Sequence, residues 1–518
     1  MTTSYLPYDP QQQFLLPHAL QDWLPEGHLA YFISDTVDSL DLSAFHARYV
    51  GGGARNHPFH PAMMVKVLVY GYATGVFSSR KLARKLHEDV AFRVLAAGNY
   101  PAHRTLCDFR AFHLKELSDL FVQVVKLARE CGLVKLGTVA VDGTRIKANA
   151  SRHKAMSYER MKKVELELKE QIDALLAKAK AADAAGKNEP ELDIPAEITR
   201  REDRLVVIRA ARARLEERQR QTDIARGRSD DDGPPDADGE PKKKSRFKYR
   251  FGEPKPDAQD NFTDPESRIM KHAGGGFDYS YNAQAAVDEA AHIIVAAELC
   301  NSAADSGQLP TVLAAVLRDA GADPRQVLAD AGYRSEATFE QLREHPAELI
   351  VALGREGKKD VKIDASKRPL CAAMAEKFTS AETQAAYRKR KWLSEPPNAW
   401  VKSVLGFRQF SMRGLAKAQA EWKLVCTRSG FRIAACLVDA RGQTVRSIGK
   451  QSGDGRCNQP EGAEIVLPLV SMKRRLGEGF HKPVACRCLM AGQLVCRLPT
   501  GHNTAERSIL RSAASTAA

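Results

Sequence analysis

The first 130 residues carry hydrophobic side chains at every third or fourth position, which is the period of an α-helix. One apolar stripe begins at Leu15 and continues to Leu40. A second stripe runs from Met63 to Tyr72, after a glycine run and two prolines that interrupt the pattern. The pattern predicts an all-helical N-terminal domain over residues 1–130.

After residue 130 the pattern changes to one typical of strands and helices in alternation. The apolar run Val139–Val141 predicts a buried strand that ends at Asp142, where Gly143 permits a turn or a close backbone approach. A second short strand, 326–329, is predicted to end at Asp330. Further strands are predicted over 281–287, 292–299 and 348–353, and further helices over 305–318, 336–344, 382–404 and 415–425. This order predicts an α/β domain over residues 131–426.

Two stretches of this domain give weaker signals. Residues 355–380 are polar and predict irregular structure. The prolines Pro396 and Pro397 predict either a break in the helix that contains them or a new helix that begins at Glu395.

A charged helical hairpin is predicted inside the α/β domain. Apolar residues recur at helical spacing from Met161 to Leu175 and again from Ile198 to Leu215, with two prolines between these runs. Such a narrow apolar seam predicts two packed helices over 157–222, within an insertion that covers residues 152–260. The hairpin is interpreted as a dimerisation arm or as an ornament without a function of its own.

The composition favours a polyanionic partner. The formal net charge of +14 points first to nucleic acid and second to a membrane surface. Residues 229–260 predict a flexible linker in which Lys243 and Arg246 stand among aromatic residues, a pattern that suits contacts with DNA backbone and bases. The alternative for this basic stretch is a solvated run of charge.

Other classes of protein are less compatible with the sequence. No apolar run of membrane length and no secretory segment occurs, so a soluble cytosolic protein is expected. The ten cysteines include no CxxC pair, which argues against a zinc site or a disulfide framework.

One predicted helix resembles the second helix of a helix-turn-helix pair. It lies at residues 105–113, and in or beside it Arg104, Arg110 and His113 are expected to face DNA phosphates. A solvated helix face is the alternative.

Three acidic residues stand out as candidates for chemistry. Asp142 and Asp330 each close a predicted strand, and Glu395 lies on a predicted helix. Strand ends in an α/β sheet face the crevice where ligands bind, and carboxylates that converge there repel one another unless divalent cations bridge them. A pair of Mg²⁺ or Mn²⁺ ions about 4 Å apart would activate water or a 3′-hydroxyl and stabilise the leaving oxygen of a phosphodiester. The alternative for Asp142 is a turn aspartate that accepts backbone hydrogen bonds.

A series of short motifs follows in fixed order along residues 10–426. They are His57-Pro58, Tyr70-Gly71-Tyr72, Ser78-Ser79-Arg80-Lys81, Glu88-Asp89-Val90-Ala91-Phe92-Arg93, His103-Arg104-Thr105, Val141-Asp142-Gly143-Thr144, Asp264-Pro265-Glu266-Ser267-Arg268, Tyr281-Asn282-Ala283-Gln284, Ala329-Asp330-Ala331-Gly332-Tyr333 and Trp392-Leu393-Ser394-Glu395-Pro396. Together they resemble a bacterial insertion-sequence transposase of the DDE class. More narrowly, they resemble the group written IS eleven-eighty-two, in the IS four and IS five superfamily.

The resemblance implies an RNase H-like catalytic core in which Asp142, Asp330 and Glu395 are the catalytic residues and the metal ligands. The family's helix signature contains Tyr, Arg, Glu and Lys, but here one residue more separates Arg390 from Glu395. Basic residues on and after this helix are expected to hold DNA phosphates. These residues are Arg390, Lys402, Arg408 and Arg413.

The function implied by the resemblance is that of a DNA transposase. It would bind the terminal inverted repeats of its element through the N-terminal domain, cleave the phosphodiester at each end and transfer the 3′-hydroxyl strand to target DNA. The resemblance also implies endonuclease activity, a homo-oligomer in the end complex and a place in the bacterial cytoplasm at the nucleoid. The alternatives are a catalytically impaired DNA-binding relative and a non-enzymatic helical scaffold.

The tail, residues 427–518, departs from the family. The resemblance implies that the helix through Cys426 should run on into a Leu/Asn-rich helix that closes the catalytic core. Instead, from Thr427 onwards hydrophobic periodicity fades and Arg, Gly and Ser recur. We interpret this tail as the product of a shift in reading frame near codon 427, with an accessory domain as the alternative.

Overall fold

The computed structural model describes residues 19–49, 57–185, 194–229, 250–272, 274–354 and 363–427. Helices account for most of the described residues up to residue 130. They are α1 Leu29–Ser39, α2 Ser43–Ala47, α3 Pro61–Ala73, α4 Ser79–Glu88, α5 Val90–Leu95, α6 His103–Phe112 and α7 Leu114–Glu130. The helical period explains their packing, since α7 buries Leu117, Phe121 and Val124 at spacings of three and four residues.

The rest of the described chain is a mixed sheet with helices. The strands are β1 Thr138–Lys147, β2 Ala155–Ser157, β3 Gln259–Asn261, β4 Arg268–Lys271, β5 Phe277–Asp288, β6 Ile294–Cys300, β7 Gln326–Ala329 and β8 Glu348–Val351. Strands β2 and β3 pair with each other in a separate two-stranded sheet, and the other six form the mixed sheet. The helices are α8 Tyr158–Ala185, α9 Ile194–Ala225, α10 Leu309–Ala320, α11 Glu336–Gln341, α12 Pro369–Lys377 and α13 Ala381–Ala399. A π-helical segment, Trp400–Val404, follows α13, and residues 415–427 are helical as well. No helix among the described residues has both the length and the apolar character needed to cross a membrane.

Strand β1 lies inside the sheet, and its two neighbours determine where the site forms. Strand β7 pairs with it in parallel and β5 pairs with it in antiparallel; β8 and β6 extend the sheet from these two neighbours. The parallel pairing ends at Val141 and Ala329, but the antiparallel pairing runs on to Lys147. The prediction that the strand ends at Asp142 is therefore wrong, because the long strand β5 keeps β1 extended beyond it. Asp142 instead lies where the parallel neighbour stops.

Prolines do not break α13, and the predicted break is wrong. Pro396 and Pro397 lie inside the helix, although a proline offers no backbone donor to the turn before it. Packing holds the helix in place, because Tyr387 and Leu393 are buried against Ala140 of β1 and neighbouring side chains of β7 and β8.

Irregular structure was also wrongly predicted for part of 355–380. Helix α12 lies there, and Pro369 stands in its first turn. The Glu336 carboxylate of α11 accepts hydrogen bonds from the backbone amides of Leu370 and Cys371, at 2.7 and 3.0 Å. Because the carboxylate that stabilises the start of α12 is distant in sequence, the residues next to Pro369 give no sign that a helix begins there.

The helical hairpin has a core of its own. Helices α8 and α9 bury Met161, Leu168, Leu205 and Ile208 in one cluster, while the N-terminal helices and the sheet share another. Lys243 and Arg246, in the predicted linker, lie outside the described residues, as does the tail from residue 428.

A buried polar network joins the N-terminal helices to the helix at 415–427. Arg110 Nη1 donates to the hydroxyl of Tyr72 at 2.7 Å, and that hydroxyl donates to Glu421 Oε1 at 2.9 Å. The side chains of Arg110 and Glu421 are 3% and 0% exposed. His113 is also fully buried, so the prediction that Arg110 and His113 face phosphates is wrong. Arg104 does lie on the surface, beside Asp108.

Candidate active site

Two aspartates lie side by side where β1 and β7 cease to pair. Val141 is the register partner of Ala329, so Asp142 and Asp330 are the residues that directly follow the last parallel pair of β1 and β7. Asp142 Oδ1 accepts a hydrogen bond from the Gly143 amide, and Asp330 Oδ1 accepts one from the Gly332 amide, both at 2.9 Å. Each carboxylate is therefore oriented by a backbone amide that lies one or two residues further along the chain. The structure thus brings together two of the three acidic residues singled out in the sequence.

Helix α13 presents a polar face to this pair. Asn398 Nδ2 donates to Asp142 Oδ2 at 3.2 Å. The Arg390 guanidinium interacts electrostatically with both aspartates, and its Nε has no hydrogen-bond partner among the described residues. Ser394 lies between them along the helix, fully buried and with its hydroxyl also unpartnered within the described chain. Residues 390, 394 and 398 are spaced four apart, so they share one face of the helix.

Glu395 lies off that face. One residue along an α-helix turns the side chain by about 100°, and Glu395 is accordingly exposed while Ser394 is buried. Within the described residues, no group of three or more His, Cys, Asp or Glu side chains is close enough together to hold a metal ion, so Glu395 does not complete such a group with Asp142 and Asp330. The third predicted ligand is not brought into contact with the other two in this conformation.

Sequence reasoning missed a third carboxylate at the site. Asp305 precedes α10, and its Oδ1 accepts hydrogen bonds from Asn282 Nδ2 at 2.7 Å and Gln284 Nε2 at 2.8 Å. A Cβ placed on Gly332 would lie 2.9 Å from Asp330 Oδ1 and 3.1 Å from Asp305 Oδ2. The two carboxylates therefore flank the same small residue. The only sequence signal was the polar pair Asn282 and Gln284 inside an otherwise apolar strand.

Three of the predicted phosphate-binding residues, Lys402, Arg408 and Arg413, lie in the segment that packs beside the far end of β1. Arg408 Nε donates to the Lys402 carbonyl at 3.1 Å, and Arg413 Nε donates to the Asn149 carbonyl at 3.0 Å. Burial lowers the pKa of Lys402, as do the nearby Arg145 and Arg408, whereas Asp142 opposes this effect. Lys402, the first of these basic residues along the chain, is therefore close enough to Asp142 for their charges to interact.

Two stretches of the chain match known protein families. Residues 250–428 match a model described as Transposase DDE domain, and residues 18–111 match one described as Transposase domain (DUF772). Both matches support a DNA transposase. No curated protein and no solved structure matches the chain.

The two transposase domains divide the site residues unevenly. The DDE match includes Asp305, Asp330 and Glu395, but it begins after Asp142 and the helical hairpin. The second match ends within α6. Asp142 is therefore connected with the DDE domain by the pairing of β1 and β7 and not by the match itself.

DDE transposase domains use divalent metal ions, and the donors present here fit such an ion. Burial raises the pKa of Asp142 to about 6, and the negative charges of Asp330 and Asp305 add to that shift although Arg390 opposes it. A carboxylate pair with excess negative charge and hard oxygen donors is the kind of site that binds Mg²⁺ or Mn²⁺. No group of three or more His, Cys, Asp or Glu side chains in the described ranges is already arranged as a metal cage.

Without metal, Asp142 should make the stability of the protein depend on pH. Its pKa is about 6 in the folded protein, above the ordinary value of 3.8 for an aspartate, so the folded state binds the proton more tightly. The contribution to the free energy of unfolding is therefore full below pH 4 and is lost as the pH rises through 6. Asp142→Asn should be more stable than wild type by roughly 3 kcal/mol at pH 7.5 and by less than about 1 kcal/mol near pH 4. Urea denaturation in EDTA measures both.

A control with the opposite sign is Asp278. Burial alone would raise the pKa of Asp278, but hydrogen bonds from Lys147 and Arg152 outweigh burial and lower it. Asp278→Asn should therefore destabilise the protein at pH 7.5. Equal pH profiles for wild type and Asp142→Asn would contradict the buried, negatively charged surroundings described for Asp142.

Gly143 should tolerate no side chain. A Cβ at this position would overlap Asp305 Oδ1 and lie 2.6 Å from Gln284 Nε2. Gly143→Ala should lower the free energy of unfolding in urea by about 1–3 kcal/mol, because the crowded groups must move. Gly137→Ala is the matched control, since a Cβ there meets nothing within 4 Å. Equal losses in the two variants would contradict the close packing beside Asp142.

Proposed function

We propose that the protein is an insertion-sequence transposase of the IS eleven-eighty-two group that cuts DNA at the ends of its element. In this proposal it binds the terminal inverted repeats, cleaves the phosphodiester at each end and transfers the 3′-hydroxyl strand to target DNA. The observation that carries the proposal is the adjacency of Asp142 and Asp330 on parallel strands, together with the DDE match. The reaction would take place in a complex that contains more than one copy of the protein.

The catalytic domain is proposed to be RNase H-like. In support, its five main strands lie in the order β6, β5, β1, β7, β8, with β1 in the middle. Strands β6, β5 and β1 pair with one another in antiparallel fashion, whereas β1, β7 and β8 pair in parallel. This order places Asp142 and Asp330 on neighbouring strands.

Asp142 and Asp330 are proposed to hold two divalent cations, Mg²⁺ or Mn²⁺, with Glu395 as a further ligand. When bound, such cations activate a water or a sugar hydroxyl and stabilise the leaving oxygen of a phosphodiester. The protein's own contribution is to orient the ligands: Asn398 and the Gly143 amide each bond one oxygen of Asp142. For Glu395 to join them, the end of α13 must turn, and the π-helical segment that follows it marks a place where helical spacing already changes.

The DNA strand is proposed to run from the aspartates along the basic end of β1. Backbone hydrogen bonds join Lys147 to Arg408 and Phe410, so the segment after α13 continues the edge of this strand. Arg390, Lys402, Arg408 and Arg413 are the proposed phosphate contacts, with Lys243 and Arg246 as further candidates. Cations in this row suit a phosphate backbone because each neutralises one charge of the strand.

Replacing Lys402 should weaken DNA binding for all sequences alike. The slope of log affinity against log salt concentration should fall in magnitude by about 1 for Lys402→Ala, because one phosphate contact is lost. Fluorescence anisotropy over a salt series measures this slope. Lys389→Ala is the matched control, since Lys389 also lies on this part of the chain but pairs with Glu289 at 2.8 Å. Identical slopes for both variants would contradict a contact between Lys402 and a DNA phosphate.

A second candidate function is DNA binding by a catalytically impaired relative of a transposase. The exposed position of Glu395, away from Asp142 and Asp330, is the observation that favours it.

One assay separates the two functions. The full-length protein is incubated with a supercoiled plasmid that carries both ends of the element, with Mg²⁺ or with EDTA. A transposase should cut at the ends only with metal, and a plasmid without the ends should stay intact. Specific binding of the ends without cleavage in Mg²⁺ or Mn²⁺ would favour the impaired relative.

A further inference from the structure

Asp305 is the one acidic residue at the site that the resemblance did not assign. It lies between β6 and α10, whereas Asp142 and Asp330 belong to the ends of the β1–β7 pairing. Its carboxylate nevertheless lies beside that pair, because a Cβ on Gly332 would be 2.9 Å from Asp330 Oδ1 and 3.1 Å from Asp305 Oδ2, and a Cβ on Gly143 would overlap Asp305 Oδ1. The sheet therefore brings three carboxylates to one place.

The position of Asp305 is fixed by a relay of buried polar groups. The Tyr333 hydroxyl donates to Gln284 Oε1, which turns the amide so that Gln284 Nε2 donates to Asp305. Asn282 adds a second donor to the same carboxylate oxygen, Oδ1. The other oxygen, Oδ2, lies on the side of Gly332 and Asp330.

The crowding at two glycines shows that this arrangement needs small residues. A Cβ at Gly143 would overlap Oδ1 of Asp305, and one at Gly332 would come within 3.1 Å of Oδ2. Both glycines follow the aspartates closely in sequence, so their lack of a side chain lets Asp305 approach Asp142 and Asp330. The carboxylate of Asp305 therefore adds a negative charge next to those of Asp142 and Asp330.

We propose that Asp305 is the third acid of the cation site, acting through the hydration shell of the ion. This inference rests on the proposed metal-dependent function. Mg²⁺ and Mn²⁺ sites commonly keep several waters, and carboxylates that bond to a site's ligands affect metal affinity by 10–100-fold. Asp305 is thus a positioning residue for the cation.

The alternative role for Asp305 is purely structural, as an acceptor that closes the loop before α10. Asp305→Asn separates the two roles, because the amide keeps an oxygen for the two donors but removes the charge. If the role is structural, stability changes while cation affinity stays the same. If the charge matters, cation affinity falls by about tenfold.

The test is the affinity of the full-length, DNA-free protein for Mn²⁺, measured by isothermal titration calorimetry and by the loss of the free Mn²⁺ spectrum. Asp305→Asn should bind about tenfold more weakly than wild type. Asp323→Asn, which removes a carboxylate before the opposite end of β7, should bind like wild type. Asp305→Ser is a second variant that lacks the charge but keeps a hydroxyl acceptor. Circular dichroism establishes that each variant is folded.

The outcomes distinguish this inference from the proposed function. Wild-type affinity in folded Asp305→Asn or Asp305→Ser would overturn the inference. If Asp305→Asn binds normally while Asp142→Asn does not, the metal site stands and only the role of Asp305 fails. If wild-type protein binds Mn²⁺ no better than Asp142→Asn, the metal-dependent function fails and this inference fails with it.

Discussion

Asp142→Asn and Asp330→Asn should each reduce cleavage of element-end DNA by more than about 100-fold and leave DNA binding nearly unchanged. Each substitution removes a charged oxygen ligand from the buried pair but leaves the basic row beyond Lys147 intact. The shape of the site should persist, because Asn398 can still donate to the amide oxygen of Asn at position 142. Cleavage is measured on plasmid DNA in Mg²⁺, and binding by gel shift in EDTA.

The control for this result is Asp278→Asn. Asp278 also lies in the sheet, on β5, but Lys147 and Arg152 already neutralise its charge. It should therefore cut at a rate close to wild type. Wild-type cleavage by either Asp142→Asn or Asp330→Asn would show that the reaction takes place elsewhere.

Arg110→Ala should destabilise the protein by about 3–5 kcal/mol, the range expected when one partner of a buried charged pair is removed. Arg110 donates hydrogen bonds to Tyr72, Ser79 and Ser411, and Glu421 would be left buried without its cation. The free energy of unfolding in urea measures the loss. Arg104→Ala is the matched control on the same helix, because its side chain is 87% exposed and its change should be under about 0.5 kcal/mol.

A double variant tests the pairing itself. Arg110→Met combined with Glu421→Met should lose less stability than the sum of the single changes, because no unpaired charge then remains buried. Additive losses would contradict a coupled pair.

Local patterns predicted the elements whose own residues determine them. The helical period before residue 130 and the short apolar runs at 139–141 and 326–329 are properties of neighbouring residues, and helices and strands lie there. The adjacency of Asp142 and Asp330 was also predictable, since each follows an apolar strand core. The full length of β1 was not, because β5 extends it, and β5 lies far away in sequence.

The remainder of the site depends on tertiary contacts. Asp305 has no strand pattern around it and is recognised only through Asn282 and Gln284 on β5. In the sequence Arg110 resembles any basic residue of a helix, yet it is buried in the fold, where its partners include Ser411 and Glu421, both about 300 residues further along the chain. Whether Glu395 or Asn398 faces Asp142 depends on the rotation of α13, which the residues before it do not determine.

The link between Arg110 and Glu421 has a consequence for how the chain is made. A ribosome adds about 5–20 residues per second, so roughly 15–60 s separate the synthesis of Arg110 from that of Glu421. During this time the N-terminal helices emerge with a core arginine whose carboxylate partner does not yet exist. The nascent chain cannot complete its shared core until nearly all of the described residues have left the ribosome. A product truncated before Glu421 would keep that buried arginine without its carboxylate partner, so its N-terminal helices would lack part of the network that fixes them in the full-length chain.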